Sequence, residues 1–507
     1  MKNRYKIIRV WAAIICWSLI TGLFLDFTGT LHPYFGFLAK LQFLPALLAA
    51  NVLVVLLWAV VTFVFGRIYC SVVCPLGVMQ DIVSYFSGKR KKHKYRFSYS
   101  PEKKLLRYSV LVAFIIAVFV GLTVIYTTLA PYSSYGRIAT NWFAPIWRGM
   151  NNVLAYLSEQ ADSYAFYRVD IWIKGLTTFI VSGLIFVGIS FLAWKHGRTY
   201  CNTICPVGTL LSFISRHSLL RITVDTTKCN SCGLCSRNCK AACIDTKQHS
   251  IDGSRCITCF NCIETCKKGA LSYKLHLPFR KNNEADIPEV KKETEGQVNE
   301  SRRKMLMFTA TLAGTSILAQ AKQTTKEFVA ATERKSIARR KQQIVPPGAL
   351  NARNMANHCT ACQLCVNSCP NQVLQPSDRL ETFMQPVMSY EHGFCRSNCN
   401  TCSQVCPAGA IRPISLEKKA SVQVGHAVWI AANCVVNTDG VSCGNCERHC
   451  PNGAIMMVAK DKDNPDSLKI PIVDAERCIG CGACEYVCPA RPFSAIYVEG
   501  HENHRIL

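Results

Sequence analysis

The stretch GRIYCSVVCPLG at residues 66–77 decides the fold, because it returns as GRTYCNTICPVG at residues 197–208. Both copies read G-R-x-Y-C-x3-C-P-x-G, and each follows an apolar segment. Proline disrupts a helix interior but suits the first position of a helix, so each copy predicts a tight turn that opens a short helix. The repeat indicates an internally duplicated two-helix unit with four cysteines at one face, namely Cys70, Cys74, Cys201 and Cys205.

Four apolar segments surround these turns, at about residues 7–25, 43–65, 105–130 and 171–194. Each is close to the ~20 residues that a membrane-spanning helix needs. We therefore expect residues 1–215 to form a four-transmembrane-helix bundle. A cleaved signal peptide is the alternative for the first segment, but no small-residue cleavage site follows it and three more apolar segments do.

The distribution of basic residues predicts how this bundle is oriented. Lys and Arg number 58 against 32 Asp and Glu. They collect near the N-terminus and in KRKKHKYR at residues 89–96, whereas residues 131–170 balance arginine against acidic residues. Cytoplasmic loops near helix ends retain positive charge, so both ends of the bundle are expected in the cytoplasm. The basic excess then needs no nucleic-acid partner.

Two cysteine motifs follow the bundle within residues 220–275, and both have the C-x2-C-x2-C-x3-C spacing of bacterial ferredoxins. In paired motifs of this kind, three thiolates of one motif and the fourth of its partner bind one 4Fe–4S cluster. We expect a cytoplasmic two-cluster ferredoxin domain here. The first cluster takes Cys229, Cys232, Cys235 and Cys266. The second takes Cys256, Cys259, Cys262 and either Cys239 or Cys243.

The choice between Cys239 and Cys243 is open at this stage. Cys239 has the usual spacing, but Lys240 stands where proline normally follows. We favour Cys239.

Four further cysteine groups lie within residues 340–500, and each closes with C-x3-C-P. Zinc ribbons use paired C-x2-C knuckles instead of tight triplets with a spaced fourth cysteine, and disulfides do not explain repeated copies of one spacing. We expect a four-cluster ferredoxin domain, which raises the total to six 4Fe–4S clusters. The groups are Cys359, Cys362, Cys365 and Cys369; Cys395, Cys399, Cys402 and Cys406; Cys434, Cys443, Cys446 and Cys450; and Cys478, Cys481, Cys484 and Cys488.

A polar linker at 278–300 separates the two cysteine-rich regions and is followed by SRRKMLMFTATLAGTSILAQA at 301–321. The arginine pair before a weakly apolar run resembles a twin-arginine export signal. The run is slightly short for a membrane span, although a fifth membrane segment is an alternative. A basic surface segment is another alternative for residues 301–321.

These motifs together resemble a known pair of proteins. Residues 1–275 resemble NapH, the membrane quinol dehydrogenase subunit of periplasmic nitrate reductase systems. Residues 301–498, with VPPGAL at 345–350, resemble its exported partner NapG, and the related MauN and MauM pair is also similar. The fold class that the resemblance implies is a membrane protein with a four-transmembrane-helix bundle and small α+β ferredoxin-like modules.

The resemblance also implies a location and a function. The location is the bacterial inner membrane, with the C-terminal ferredoxin domain in the periplasm. The function is oxidation of quinol from the quinone pool, followed by electron transfer to a periplasmic reductase or electron-carrier protein of a respiratory chain. An assembly factor that reduces a metal or cofactor in a client protein is the alternative.

By analogy with four-cluster relatives, the C-terminal groups pair in a nested order, first with fourth and second with third; sequential pairing is the alternative. Cys488 then completes the set of Cys359, Cys362 and Cys365, while Cys369 completes that of Cys478, Cys481 and Cys484. Cys406 and Cys450 cross between the inner groups, Cys450 joining Cys395, Cys399 and Cys402, and Cys406 joining Cys434, Cys443 and Cys446.

The sequence contains no motif for haem or for a nicotinamide cofactor. No histidine lies within the four apolar segments and no C-x-x-C-H occurs, so no haem is expected. No G-x-G-x-x-G stands between a strand and a helix, so no nicotinamide site is expected. The role of the repeat cysteines stays open between an additional metal or cluster, a dithiol and disulfide couple beside quinol, and simple packing.

Overall fold

The computed structural model describes residues 4–88, 97–163, 165–275, 340–461 and 463–507, together with 335, 336 and 338. These residues belong to one compact unit, Met1–Pro278 with Lys335–Leu507. The predicted linker at 278–300, the twin-arginine segment at 301–321 and the basic run at 89–96 lie outside the described residues.

The N-terminal part is helical up to Ser215. Its helices are α1 Arg4–Leu25, α2 His32–Phe35, α3 Phe37–Lys40, α4 Phe43–Leu48, α5 Val52–Phe65, α6 Ile68–Val72, α7 Pro75–Gly88, α8 Lys104–Val120, α9 Thr123–Leu129, α10 Pro131–Ile138, α11 Ala144–Gln160, α12 Leu176–His196, α13 Thr199–Thr203 and α14 Pro206–Ser215. A π-helical turn, Ala139–Phe143, joins α10 to α11.

Two of the four predicted spans are single helices, α1 and α12. Within the described residues, they are the two long and apolar enough to cross a membrane by length and composition. The other two spans are broken, which the sequence reading missed. Asn51 caps α5 by accepting a hydrogen bond from the Val54 amide, and Gly121 ends α8 in a left-handed conformation. Both are ordinary helix-end residues, so the sequence did carry the signal.

Each repeat builds the same local structure. The long helix ends at a glycine with positive φ, Gly66 or Gly197, where a side chain would be strained. A short helix, α6 or α13, then holds the first cysteine, and proline opens α7 or α14 just after the second. The predicted proline-led helices are therefore present. The short helix before each was not foreseen.

The cysteine-rich regions are built from short helices around two-stranded antiparallel sheets. The strands pair as β1 Leu220–Val224 with β4 Leu271–Leu275, β2 Ile244–Asp245 with β3 Ser250–Ile251, β5 Leu374–Pro376 with β6 Pro386–Met388, β7 Val422–Trp429 with β10 Ile496–Ile506, and β8 Ile455–Ala459 with β9 Lys469–Val473. The helices are α15 Leu234–Arg237, α16 Asn261–Thr265, α17 Ala352–His358, α18 Leu364–Asn367, α19 Thr401–Val405, α20 Leu416–Ser421, α21 Val435–Thr438, α22 Asn445–Arg448 and α23 Ala483–Val487.

The two ferredoxin regions contact opposite ends of α1. At its start, Lys6 forms an ion pair with Glu264 of the 220–275 region. At its end, the carbonyl of Phe24 accepts a hydrogen bond from the Asn367 side chain of the C-terminal region. One hydrophobic core runs from the helices into both regions, and a second lies between β7 and β10 and the last two cysteine groups.

Large apolar side chains cover the outer faces of α1, α5, α8 and α12. Examples are Trp11 at 62% exposure, Leu53 at 74%, Phe119 at 87% and Leu184 at 68%. A continuous exposed apolar surface of this kind normally faces a protein partner or a lipid.

Candidate functional site

The four repeat cysteines come together although 127 or more residues of chain separate the two pairs. Each thiol is at most 5% exposed. Cys205 lies close enough to Cys201, Cys74 and Cys70 to interact with them electrostatically, which is what "within range" means below. Cys74 is likewise within range of Cys201 and Cys70. We call these four thiols the bundle site. The predicted convergence is therefore present in the structure.

The arginine of each repeat crosses to the other repeat. Arg67 Nη2 donates to the Cys201 carbonyl at 3.1 Å and lies 3.8 Å from Cys70 Sγ. Arg198 Nη1 donates to the Cys70 carbonyl at 2.8 Å and lies 3.7 Å from Cys201 Sγ. Each guanidinium thus fixes the backbone at the other copy's first cysteine and faces the thiol of its own.

This crossing explains why the last glycine recurs with the arginine. A Cβ on Gly77 would lie 2.5 Å from Arg198 Nη1, and one on Gly208 would lie 2.8 Å from Arg67 Nη2. Real Cβ atoms do not approach other atoms that closely, so neither position has room for a side chain. The Cys70 and Cys201 carbonyls of the same copies would lie closer still, at 2.4 and 2.2 Å, so the place of the glycine is a packing requirement both within each copy and between the two.

One acidic residue breaks the symmetry of the bundle site. Asp81 pairs with Arg198 at 3.0 Å and Lys240 at 3.2 Å, and also with Arg9. The equivalent position in the second repeat is Ser212. Consequently Arg67, which is fully buried, has no carboxylate partner among the described residues and bonds only neutral groups and Cys70.

The ferredoxin region at 220–275 docks directly on these turns. The Arg198 amide donates to the Lys240 carbonyl at 2.8 Å, and Arg67 Nη1 donates to the Ser254 carbonyl at 3.2 Å. Arg67 is also within electrostatic range of Cys256. This guanidinium therefore lies between the bundle site and the second predicted cluster of the ferredoxin region.

Cys239 and Cys243 both lie beside that second cluster site, with their sulfurs 3.6 Å apart. Cys239 interacts electrostatically with Cys256, Cys259 and Cys262, and Cys243 forms a side-chain hydrogen bond with Cys256. A hydrogen bond from Cys243 lowers the pKa of Cys239, which favours the thiolate that binds iron. The geometry thus favours Cys239, with Cys243 supporting it.

The first ferredoxin cluster is only partly defined by contacts. Cys235 lies within range of Cys229 and Cys232. Cys262 of the second set lies within range of Cys235, so the two sites are neighbours. The assignment of Cys266 to the first set stays a prediction.

In the C-terminal region the nested pairing is wrong, because neighbouring groups pair in sequence. Cys406, not Cys488, lies within range of Cys359, Cys362 and Cys365. Cys369 lines one depression with Cys395, Cys399 and Cys402. Cys450 lines a second depression with Cys478, Cys481 and Cys484. Cys488 lines a third with Cys434, Cys443 and Cys446. Each consecutive pair of groups shares a local core, which the chain can form without threading one group through the other.

Three buried cations from the helical part surround the Cys359 set. Arg137 Nη1 approaches the Ala361 carbonyl at 3.4 Å, while Arg148 and Lys174 both donate to Asn367 Oδ1, at 3.1 and 2.7 Å. None of the three has a carboxylate partner in the described part of the chain. Burial and Arg148 hold the pKa of Lys174 well below its usual range, whereas thiolates at Cys369 and Cys365 act in the opposite sense. An anionic group held by these cysteines would balance all three charges.

The donor sets fit iron–sulfur clusters better than single metal ions. Among the described residues, no three His, Cys, Asp or Glu side chains are arranged around one ion. This holds for the ferredoxin sets and the bundle site alike. Four thiolates that each take a different iron of one cluster need not approach a common point, whereas a tetrahedral zinc site requires all four within about 2.3 Å of the metal.

The sequence reading missed the charged residues of these sites. Arg67 and Arg198 were visible as recurring offsets, but their crossing was not. Nothing in the sequence marked Arg137, Arg148 or Lys174, because they belong to a segment without a motif. Cys16, by contrast, lies half-buried in α1 away from both cysteine-rich regions.

The fold and the cysteine sets define the class of this protein, a multi-cluster iron–sulfur protein of the ferredoxin type. A family described as a 4Fe-4S binding domain matches residues 47–93 and 178–224, the two repeats. A family described as a 4Fe-4S dicluster domain matches residues 358–410 and 441–491. The first dicluster match contains two complete consecutive cysteine groups, and the second contains the last two groups except Cys434, in agreement with the sequential pairing.

Curated relatives include proteins named as ferredoxin-type proteins. The methylamine utilization ferredoxin-type protein MauM of Methylophilus methylotrophus is 32% identical over 159 residues, 30% of this chain and 68% of that protein. The ferredoxin-type protein NapG of Escherichia coli K12 is 30% identical over 154 residues, 28% of this chain and 64% of that protein. The uncharacterized protein MJ0749 of Methanocaldococcus jannaschii is 25% identical over 221 residues, 44% of this chain and 67% of that protein.

The chain belongs to the ferredoxin-type protein family represented by MauM. The MauM of Methylobacillus flagellatus is matched over 62% of its length, so the chain spans about two thirds of these relatives. No solved structure matches the chain.

Proposed function

We propose that this protein is a membrane-bound electron-transfer protein of the bacterial inner membrane that acts as a quinol dehydrogenase. It oxidises quinol and passes the electrons through its 4Fe–4S clusters to a periplasmic reductase or electron carrier, as the resemblance to NapH and NapG implies. Its helices form a four-helix membrane bundle, with α4–α5 and α8–α9 as broken spans. Residues 220–275 face the cytoplasm and the domain from residue 340 faces the periplasm.

The observation that carries this proposal is the attachment of the two ferredoxin regions to opposite ends of α1. A helix of 22 residues is roughly 33 Å long at 1.5 Å per residue. That length matches the ~30 Å hydrocarbon core of a bilayer. If α1 spans the membrane, the ion pair at Lys6 and the hydrogen bond at Phe24 hold the two regions on opposite sides.

Exposed apolar side chains on four helices support the same arrangement. Surfaces as apolar as those of α5 and α8 are costly in water and stable in lipid. The backbone at both breaks has partners. Between α4 and α5, the Asn51 amide donates to the Ala46 carbonyl, and between α8 and α9, Thr123 donates to the Glu381 carbonyl of the C-terminal region. Irregular backbone at such depths is tolerated when the protein satisfies it.

The test uses the purified full chain with its clusters reconstituted, in lipid nanodiscs without oxygen. Menaquinol or ubiquinol is added, and cluster reduction is followed by loss of visible absorbance and by electron paramagnetic resonance. We expect reduction by one quinol within seconds, and dithionite serves as the positive control. Reduction by dithionite but by neither quinol would overturn quinol oxidation and favour the client-reducing assembly factor.

The sidedness is tested in right-side-out vesicles with an added protease. The exposed loop at residues 463–467 is the expected cleavage site. Complete protection in intact vesicles, with cleavage after detergent is added, would contradict the periplasmic location.

A further inference from the structure

The bundle site has the charge pattern of a buried anion site. Two guanidinium groups, those of Arg67 and Arg198, lie within 3.8 Å of its sulfurs. Asp81 balances Arg198 but nothing balances Arg67 among the described residues. A buried cation without a counter-charge is strongly destabilising, so an anionic group held by the thiols beside Arg67 would balance its charge.

Four converging thiolates form a complete ligand set for an iron–sulfur cluster. Each repeat alone supplies only two cysteines, so neither matched 4Fe-4S segment can hold a cubane without the other. The crossing of Arg67 and Arg198 joins the two turns and brings the half-sets together. Simple packing of small side chains would not require this reciprocal contact.

We propose that Cys70, Cys74, Cys201 and Cys205 bind a seventh 4Fe–4S cluster, and that this site links the 220–275 region to the C-terminal domain. The proposal rests on the electron-transfer function but not on quinol as the donor. Its chemistry is a one-electron exchange between neighbouring clusters, in which one is oxidised as the next is reduced and no bond or proton moves.

The linking role follows from what surrounds the bundle site. On one side, Arg67 lies between it and Cys256. On the other side, Tyr69 and Tyr200 lie within range of its thiols, and Tyr132 is within range of Tyr69, Cys362 and Cys406. The bundle site is therefore the intermediate between the second cluster of the 220–275 region and the Cys359 cluster.

Contacts further along the C-terminal domain extend the order. Cys365 lies within range of Cys402. The Cys395 amide donates to the Cys481 carbonyl at 2.9 Å, and Cys484 lies within range of Cys446. The order of sites beyond the bundle is thus the Cys359, Cys395, Cys478 and Cys434 sets, so the last two are reversed relative to their order in the sequence.

The first experiment counts iron and acid-labile sulfide in the fully reconstituted chain and in a Cys70→Ser, Cys201→Ser variant. The intact chain should hold about 28 irons, and the variant about four fewer. Cys16→Ser is the matched control, because it removes a half-buried thiol outside every set, and it should lose none. Iron equal to six clusters in the intact chain, zinc at the site, or an unchanged iron content in the double variant would each overturn the proposal.

If the double variant does not accumulate, the count in the intact chain still decides the question, supported by Mössbauer spectra. Neither measurement involves quinol, so a negative quinol assay leaves this result interpretable.

The second experiment tests the link in inverted membrane vesicles, whose cytoplasmic face is outward. Dithionite does not cross the membrane and should reduce the 220–275 clusters in every variant. In the double variant, reduction of the C-terminal clusters should slow at least tenfold relative to Cys16→Ser. An equal rate in both would show that the bundle site does not connect the two regions.

Discussion

Replacing Arg67 by glutamine should lower the reduction potential of the bundle cluster. The guanidinium lies 3.8 Å from Cys70 Sγ and has no carboxylate partner in the described chain. At an effective dielectric constant of about 20, Coulomb's law gives about 4 kcal/mol for a unit charge at that distance. An added electron would be spread over the whole site and lie on average about twice as far from the guanidinium as Cys70 Sγ does, so about half of this applies, or on the order of 90 mV for one electron. Loss of a positive charge disfavours reduction, so the shift is downward.

The assay is a redox titration of the intact chain followed by electron paramagnetic resonance, with the bundle signal identified as the one that Cys70→Ser, Cys201→Ser removes. Arg67→Lys keeps the charge and is the matched control, expected within about 30 mV of the unmodified chain because the Coulomb interaction persists. Asp81→Asn removes a negative charge from the same site and should raise the potential. A downward shift below about 20 mV for Arg67→Gln, or a shift of the same sign in Asp81→Asn, would refute the electrostatic reasoning.

Two further predictions concern single residues. Cys239→Ser should cost the iron of one cluster, whereas Cys243→Ser should not, because Cys239 interacts electrostatically with all three partner cysteines, Cys256, Cys259 and Cys262. Iron analysis of both variants decides this, and the reverse result would assign Cys243. Burial lowers the pKa of His504 to about 4, so between about pH 6.5 and 4 the unfolded chain binds a proton that the folded chain does not, and stability should fall as the pH falls. At pH 5 the free energy of unfolding should be lower by about 2 kcal/mol, measured as a shift of the urea midpoint. His504→Phe should remove this part of the pH dependence. A urea midpoint that is as pH-sensitive in His504→Phe as in the intact chain would contradict the prediction.

Much of the candidate site was visible in the sequence, because a cluster motif is local. The triplets such as Cys359, Cys362 and Cys365 lie within one short loop and helix, so their spacing alone predicts that they share a cluster. The repeat predicted the proline-led helices and the meeting of its cysteines. The helix breaks at Asn51 and Gly121 also have a local signal, since both are ordinary helix-end residues, but each of them lies within an otherwise apolar run that predicts one long helix.

The fourth ligands could not be read in this way. Cys406 and Cys488 have the same local spacing, and only the packing of one cysteine group against another decides which triplet each one joins. The charges around the thiols could not be predicted locally either, because Arg67 and Arg198 each contact the repeat that lies 131 residues away along the chain.

Local sequence patterns predict which residues bind iron and show that one turn occurs twice, because those features depend on neighbours a few positions apart. The tertiary structure alone decided that Asp81 balances one arginine and leaves the other facing the thiols, and that Arg137, Arg148 and Lys174 surround the Cys359 set. These are relations between distant segments in a buried interior. There the cost of an unpaired charge depends on what folding brings beside it, which no local pattern encodes.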